Sequence, residues 1–298
     1  MKRKVVNLGG SCLMVSIPAK WAKAHDVKKG DELVIEETNN SLVLKTDSEP
    51  KPSSISLDIS DLDKSLIITN ILSAYLKGFD EIHLRYEKSS VNRTAEIIEG
   101  MTSMLVGVEI IDQKDGSCIL KDLSSHSYEE FNNLLKRILN LLQNMANDCV
   151  EGVKNNDKSR LENLVHKKRN IRKLIYFCYR SLNKINYGNS ANSHFLFNLL
   201  SNFETITEVY RLIGKEKPTK FTSEKMFVKV NELLSEFSVL YFVRESKKII
   251  AFKKKIREIY TSINHGYKAF PENILLLSRL TVIINSIDNS LKILLYLN

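Results

Sequence analysis

Apolar residues in the first 46 positions fall in four short runs: Val5-Val6, Leu13-Met14-Val15-Ser16-Ile17, Leu33-Val34-Ile35 and Leu42-Val43-Leu44. Turn chemistry separates them at Gly9-Gly10-Ser11, Lys29-Gly30-Asp31 and Asn39-Asn40-Ser41, so the runs predict strands. Pro18 suits the first position of a short helix that turns Trp21 and Ala22 inward and Lys20 and Lys23 outward. The predicted order is β-β-α-β-β. A segment this short buries too little surface to be stable alone, and its open strand edges invite a second copy.

From residue 55 the period alternates between strand and helix. Ile55, Leu57 and Ile59 predict a strand. A helix follows with Leu62, Leu66, Ile71, Leu72 and Tyr75, which Ser60 and Asp63 can cap and Gly78 can end. Glu81 to Tyr86 predicts another strand, and about Val91 to Met104 another helix. Val108 to Ile111 then turns at Asp115-Gly116 into a last strand, Ser117 to Leu120. This pattern suits a small sheet with helices on one face. It contains no phosphate-cradling glycine loop and no nucleophile constellation, so it reads as a structural or interaction segment.

Beyond residue 126 the pattern is helical throughout. Ser127-Tyr128-Glu129-Glu130 is a capping box, followed by Phe131, Leu134, Leu135, Ile138, Leu141, Leu142, Met145 and Cys149 at three- and four-residue spacing. Two further helices are predicted from about Asp157 to Lys184 and from about Ser193 to Ile213, with Gly188 and Gly214 as punctuation. After Lys217-Pro218 the pattern repeats. Lys168-Arg169-Asn170-Ile171-Arg172-Lys173-Leu174-Ile175-Tyr176 is similar to Lys253-Lys254-Lys255-Ile256-Arg257-Glu258-Ile259-Tyr260, and the run from Leu199 to Ile206 is similar to that from Leu276 to Ile283. Two matched pairs in one order predict a duplicated three-helix unit, each triplet forming a small bundle.

Composition narrows the function. The 298 residues are 43% hydrophobic and 27% charged, which is globular, and the length suits several compact units. No uninterrupted apolar run reaches ~18 residues, so neither a signal peptide nor an integral membrane segment is expected. Cys12, Cys118, Cys149 and Cys178 form no CxxC pair, and reduced thiols in the cytoplasm are expected. His25, His83, His126, His166, His194 and His265 form no HxxxH or HExxH pair, and there is no P-loop or GxSxG, so no enzyme is expected.

The net charge of +9 is unevenly spread. Residues 1–30 carry seven bases and one acid, residues 31–126 are net acidic, and residues 127–298 carry twenty-eight bases and sixteen acids. The basicity therefore sits at the two ends.

Two resemblances give these patterns a meaning. The stretch from Gly10 to Trp21, ending its strand in Ile17-Pro18, with Val27-Lys28-Lys29-Gly30-Asp31-Glu32-Leu33 after it, resembles the AbrB/SpoVT swapped-hairpin family. That resemblance implies a homodimer whose two chains interleave into one barrel and present bases to DNA. By position these would be Lys2, Arg3 and Lys4 on the first strand and Lys20 and Lys23 on the helix, with Lys28 and Lys29 as weaker candidates. Where relatives often have adjacent arginines this helix has Ala22-Lys23, which favours phosphate attraction over base readout. A module used only for dimerisation is the alternative. The duplicated helices behind it, with Ala74 to Ile82 and Leu105 to Ile110, resemble archaeal regulators related to PhoU, the phosphate uptake regulator. This implies phosphate signalling and, as partner, the phosphate ABC transporter ATPase or another regulatory protein.

The expected fold is thus multidomain and mainly α. A swapped-hairpin β-barrel half spans 1–46, a Pro-rich linker 47–54, a small α/β segment 55–122, and a duplicated three-helix, PhoU-like bundle 127–298, with repeats at about 127–214 and 220–298. PhoU relatives bind metal clusters through acidic pairs four residues apart on two helices. Here only Glu204 and Glu208 keep that spacing; Thr281 and Asn285 replace them in the second repeat, and bases occupy the preceding helix at Lys168, Arg169, Arg172, Lys253, Lys254 and Arg257. No cofactor is expected, and Glu204 and Glu208 should pair with these bases or with Arg211. The six bases form either solvated helix faces or a patch for an anionic partner.

Overall fold

The computed structural model describes residues 2–10, 12–38, 41–46, 52–88, 91–185, 190–216, 224–243 and 245–297. The chain divides into two compact units, Met1–Pro52 and Ser53–Asn298. Most of the linker, together with Gly188 and Lys217-Pro218, lies outside the described residues.

The first unit contains β1 (Val5–Asn7), β2 (Leu13–Val15), α1 (Ala19–Ala24), β3 (Leu33–Thr38) and β4 (Ser41–Thr46), the predicted order. Pro18 sits one position before the helix rather than in its first turn. The strands form two separate antiparallel hairpins, β1 with β2 and β3 with β4. Gly9, Gly10 and Gly30 all have positive φ, at 106°, 57° and 101°, the backbone region that glycine enters without a Cβ penalty.

The second unit opens with a four-stranded sheet of order β5-β6-β8-β7, built from β5 (Ser54–Asp58), β6 (Glu81–Arg85), β7 (Val108–Lys114) and β8 (Ser117–Asp122). β5 and β6 are parallel and the remaining pairings antiparallel, with a bulge at Ile110/Asp112. Helices α2 (Lys64–Leu76) and α3 (Val91–Thr102) cover one face, where Ile71, Tyr75 and Ile98 meet Ile82, Leu84, Cys118 and Leu120 in one core. Two local expectations fail. The cap of α2 is Asp63, whose carboxylate accepts the Leu66 N–H at 2.8 Å, while the Ser60 hydroxyl donates to Asp58 instead. Leu62 precedes the helix and Leu66 is exposed, and the buried stripe is Ile67, Ile71, Ala74 and Tyr75.

Six helices complete the unit: α4 (Tyr128–Lys154), α5 (Lys158–Ile185), α6 (Ser190–Glu216), α7 (Glu224–Val243), α8 (Ser246–Ala269) and α9 (Ile274–Tyr296). The Ser127 hydroxyl caps α4 by accepting the Glu130 N–H at 3.1 Å. Within each triplet every helix touches the other two, but α6 also packs on α9 and α4 on α7. The triplets therefore share one continuous core rather than forming two small bundles. The reason lies in the apolar width of α6 and α9, each buried on more than one stripe. Although α9 and the turn before it are long and apolar enough to span a membrane, Leu276, Leu280, Ile283, Ile287, Leu291 and Leu294 of that helix are buried in this core.

Gly214 does not end a helix. It lies inside α6, where a Cβ would meet Leu164 Cδ1 at 2.6 Å and the Leu161 carbonyl at 3.1 Å; at Gly152 of α4 a Cβ would meet Leu161 at 2.7 Å. The two glycines let α5 approach both neighbours closely. Gly214→Ala should accordingly destabilise by about 1–3 kcal/mol through overpacking, although alanine is the better helix former. Urea unfolding measures this, and an unchanged midpoint would show that α5 can move away freely.

Candidate nucleic-acid interface

All five predicted DNA contacts are solvent-exposed. Lys2, Arg3 and Lys4 precede β1 rather than lying on it, because pairing starts at Val5. Lys20 and Lys23 occupy the outer side of α1, while Trp21 and Ala22 are half-buried. Trp21 also stacks on His25 with ring centroids 4.5 Å apart. Lys28 is partly engaged: its side chain lies 3.5 Å from Asp26, and its N–H donates to Asp31 at 2.7 Å, fixing the Lys29-Gly30 turn. Lys29 is exposed.

The apolar side chains of this unit are equally exposed. Val5, Val6, Leu8, Leu13, Met14, Val15, Val34, Ile35, Leu42 and Leu44 keep between 40% and 70% of their surface in water. Among the described residues of 2–46 none is buried. A folded β unit with no interior of its own has its apolar area arranged for something else to cover.

In the helical region the basic faces resolve into paired and free cations. Arg172 Nε lies 3.0 Å from Glu204, Lys168 pairs with Glu208, and Arg211 reaches Glu208 at 2.6 Å. Both acids are therefore held by cations, as their surroundings in the sequence implied, and among the described residues no cluster of three or more His, Cys, Asp or Glu could hold a metal ion. In the second repeat Lys253 pairs with Asp288, one turn beyond the position that matches Glu208. Arg169, Lys254 and Arg257 are exposed, and among the described residues they have no acidic partner. The six-residue patch is thus three internal ion pairs and three free cations.

One basic residue of this run has a different role, which charge counting missed. Arg180 of α5 is wholly buried. Its guanidinium donates to Asp122 Oδ2 from Nε at 2.9 Å and from Nη2 at 2.6 Å, to the Tyr75 carbonyl at 2.6 Å and to the Phe79 carbonyl at 2.8 Å. It also lies over the Tyr75 ring at 4.8 Å. Asn183 donates to the Leu76 carbonyl at 2.6 Å. Together the two α5 side chains satisfy the last carbonyls of α2, where a cation also suits the helix dipole. His126 completes the cluster, with Nε2 3.2 Å from Asp122 and Nδ1 2.9 Å from the Ser181 hydroxyl.

Burial opposes the charge on Asp122, yet hydrogen bonds from His126 and Ser124 and the Arg180 guanidinium hold its carboxyl well below the usual carboxylate range. Arg211 first, and then Lys168, hold Glu208 at about 2 against desolvation. Both pKa values are depressed in the folded state, so the unfolded chain binds more protons on acidification. Stability present above the ordinary carboxylate range should fall as pH drops toward 2. Glu208→Gln should flatten part of that fall and cost less than about 1 kcal/mol at pH 7, since Glu208 keeps 34% of its side chain in water, where solvent screens the pair. Denaturant melts between these pH values measure both effects, and a slope unchanged by the substitution would contradict the assignment.

Three of the four thiols are buried, at Cys118, Cys149 and Cys178, and Cys12 is exposed. Burial pushes Cys118 up to about 11 and Cys178 up to about 12, and Cys12, Cys118, Cys149 and Cys178 are all free. No curated protein matches the chain. Residues 6–56 match the profile of the MazE antitoxin family, antidote-toxin recognition MazE, bacterial antitoxin, so the hairpins from Val6 onward and the basic α1 lie within a segment similar to that regulatory family, and Lys2, Arg3 and Lys4 precede it.

Proposed function

We propose that this chain is a homodimeric DNA-binding regulator. Its N-terminal hairpins interleave with those of a second copy, and Lys2, Arg3, Lys4, Lys20 and Lys23 of both copies contact DNA phosphates. The observation that carries this reading is the coincidence, in one unit, of ten exposed apolar side chains with five exposed cations. The MazE-like match over residues 6–56 supports it for Lys20, Lys23 and nine of the ten apolar side chains, while Lys2, Arg3, Lys4 and Val5 precede the match. Lysine-dominated contacts imply sequence-tolerant binding, with DNA shape rather than a guanine-reading fork setting preference.

A finer reading places the helical domain in phosphate signalling, with the phosphate transporter ATPase or another regulatory protein as its partner. Its support is the sequence resemblance to PhoU-related regulators and the free cations Arg169, Lys254 and Arg257, which suit an acidic protein surface. In the competing form of this reading the hairpin unit serves only dimerisation.

Titration of a duplex at increasing salt separates these. If about five to ten phosphates are neutralised per dimer, log K should fall with log salt at a slope of about −5 to −9. Replacing the five lysine and arginine residues with alanine should flatten the slope and weaken binding at least ~1000-fold at moderate salt. Failure of the wild-type chain to shift any duplex at low salt would leave dimerisation alone.

A further inference from the structure

A groove of about 650 Å³ opens between α2, α3 and α5 within the second unit. That volume is typical of small-molecule sites. Its floor is apolar, formed by Leu72, Met101, Met104 and the Tyr176 ring. Its walls carry Lys64, Arg93 and Arg169, one from each helix, and among the described residues none of the three has an acidic partner. Arg172 also lines it, but is paired to Glu204 and set over the Tyr176 ring at 5.9 Å. Glu96 is the one acid on the wall.

Gly100 leaves the α3 wall of the groove open. It lies in the last turn of α3 on the groove wall, and a Cβ there would meet nothing within 4 Å. The φ at Gly100 is not positive, so no turn requires glycine. Glycine at such a position weakens the helix, and among the described residues nothing would meet the first atom of a side chain there. Three unpaired cations above an apolar and aromatic floor select a body that is apolar and a head that is multiply negative.

We propose that this groove binds a phosphomonoester with an aromatic or apolar body. The phosphate would be held by Lys64, Arg93 and Arg169, with the body on Met101, Met104 and Tyr176 beside Gly100. The site lies wholly in the second unit and does not depend on the DNA reading.

The test is calorimetric titration of the full chain with 1-naphthyl phosphate, inorganic phosphate and 1-naphthol. The expected result is saturable binding of 1-naphthyl phosphate at one site per chain. Each control, lacking either head or body, should bind at least tenfold more weakly. Gly100→Leu, which fills the groove while strengthening the helix, and Arg169→Gln, on a surface cation, should each weaken 1-naphthyl phosphate at least tenfold with no loss of thermal stability. Absence of saturable binding at about 1 mM, binding of inorganic phosphate as tight as that of the naphthyl ester, or wild-type affinity in both variants would each overturn the proposal.

Discussion

Replacing Arg180 with methionine should cost the second unit about 3–5 kcal/mol, the usual result of leaving a buried charge uncompensated. Four hydrogen bonds would go at once, and Asp122, with only 2% of its side chain exposed, would keep its charge without its main partner. The Tyr75 carbonyl would lose its second donor and the Phe79 carbonyl its guanidinium partner, so the C-terminus of α2 would be exposed to the same cost. Arg180→Lys should rescue little, because an ammonium group cannot span one carboxylate and two carbonyls in the planar geometry of a guanidinium. Arg180→Met combined with Asp122→Asn should cost less than the sum of the two single changes, as expected for direct partners. Urea melts of the four proteins measure this, and a loss below about 1 kcal/mol for Arg180→Met would show that the cluster is dispensable.

The second large effect belongs to the hairpin unit. Covering ten side chains that are now half-exposed would gain on the order of 10 kcal/mol per copy before ordering costs. An aspartate at Leu13 or Val15 places a charge in the middle of that covered face. Either substitution should dissociate the hairpin units at micromolar concentration and abolish DNA binding with them, while the second unit melts as before. The contrast with the five-cation variant is informative. That variant should remain dimeric and lose only DNA, because exposed cations contribute little to folding.

The strand runs, the short helix and the helical repeats were legible because short apolar runs between glycine turns, and three- and four-residue spacing, each have one ready structural solution. The exposed face of the hairpin unit was legible too, since its length alone denies it a core. Three features were harder to see. Gly214 reads as a stop because glycine usually is one, and only the proximity of Leu161 and Leu164 reveals a packing role. The shared six-helix core depends on which faces meet, which a period does not state. Arg180 stands among many bases of a net basic segment, where a count of charges assigns it to solvent, yet it follows Tyr176-Phe177-Cys178-Tyr179, a run apolar around the whole helix circumference. Phe177, Cys178 and Tyr179 of that run are buried and Tyr176 is partly so, and an arginine next to such a run is a candidate for a buried partner rather than a surface charge. The groove lay beyond reach for a similar reason, because its three cations come from segments more than 20 residues apart in sequence.

On the proposed reading the hairpin unit acquires its interior from a second copy. Hydrogen exchange of the backbone amides in residues 5–46, followed as the full chain is diluted, tests it most directly. Strong protection is expected at concentrations where the dimer is populated. That protection should be lost in step with dissociation, while the amides of α4–α9 keep theirs. Protection of residues 5–46 that is independent of concentration, or absent even at the highest concentration, would contradict it.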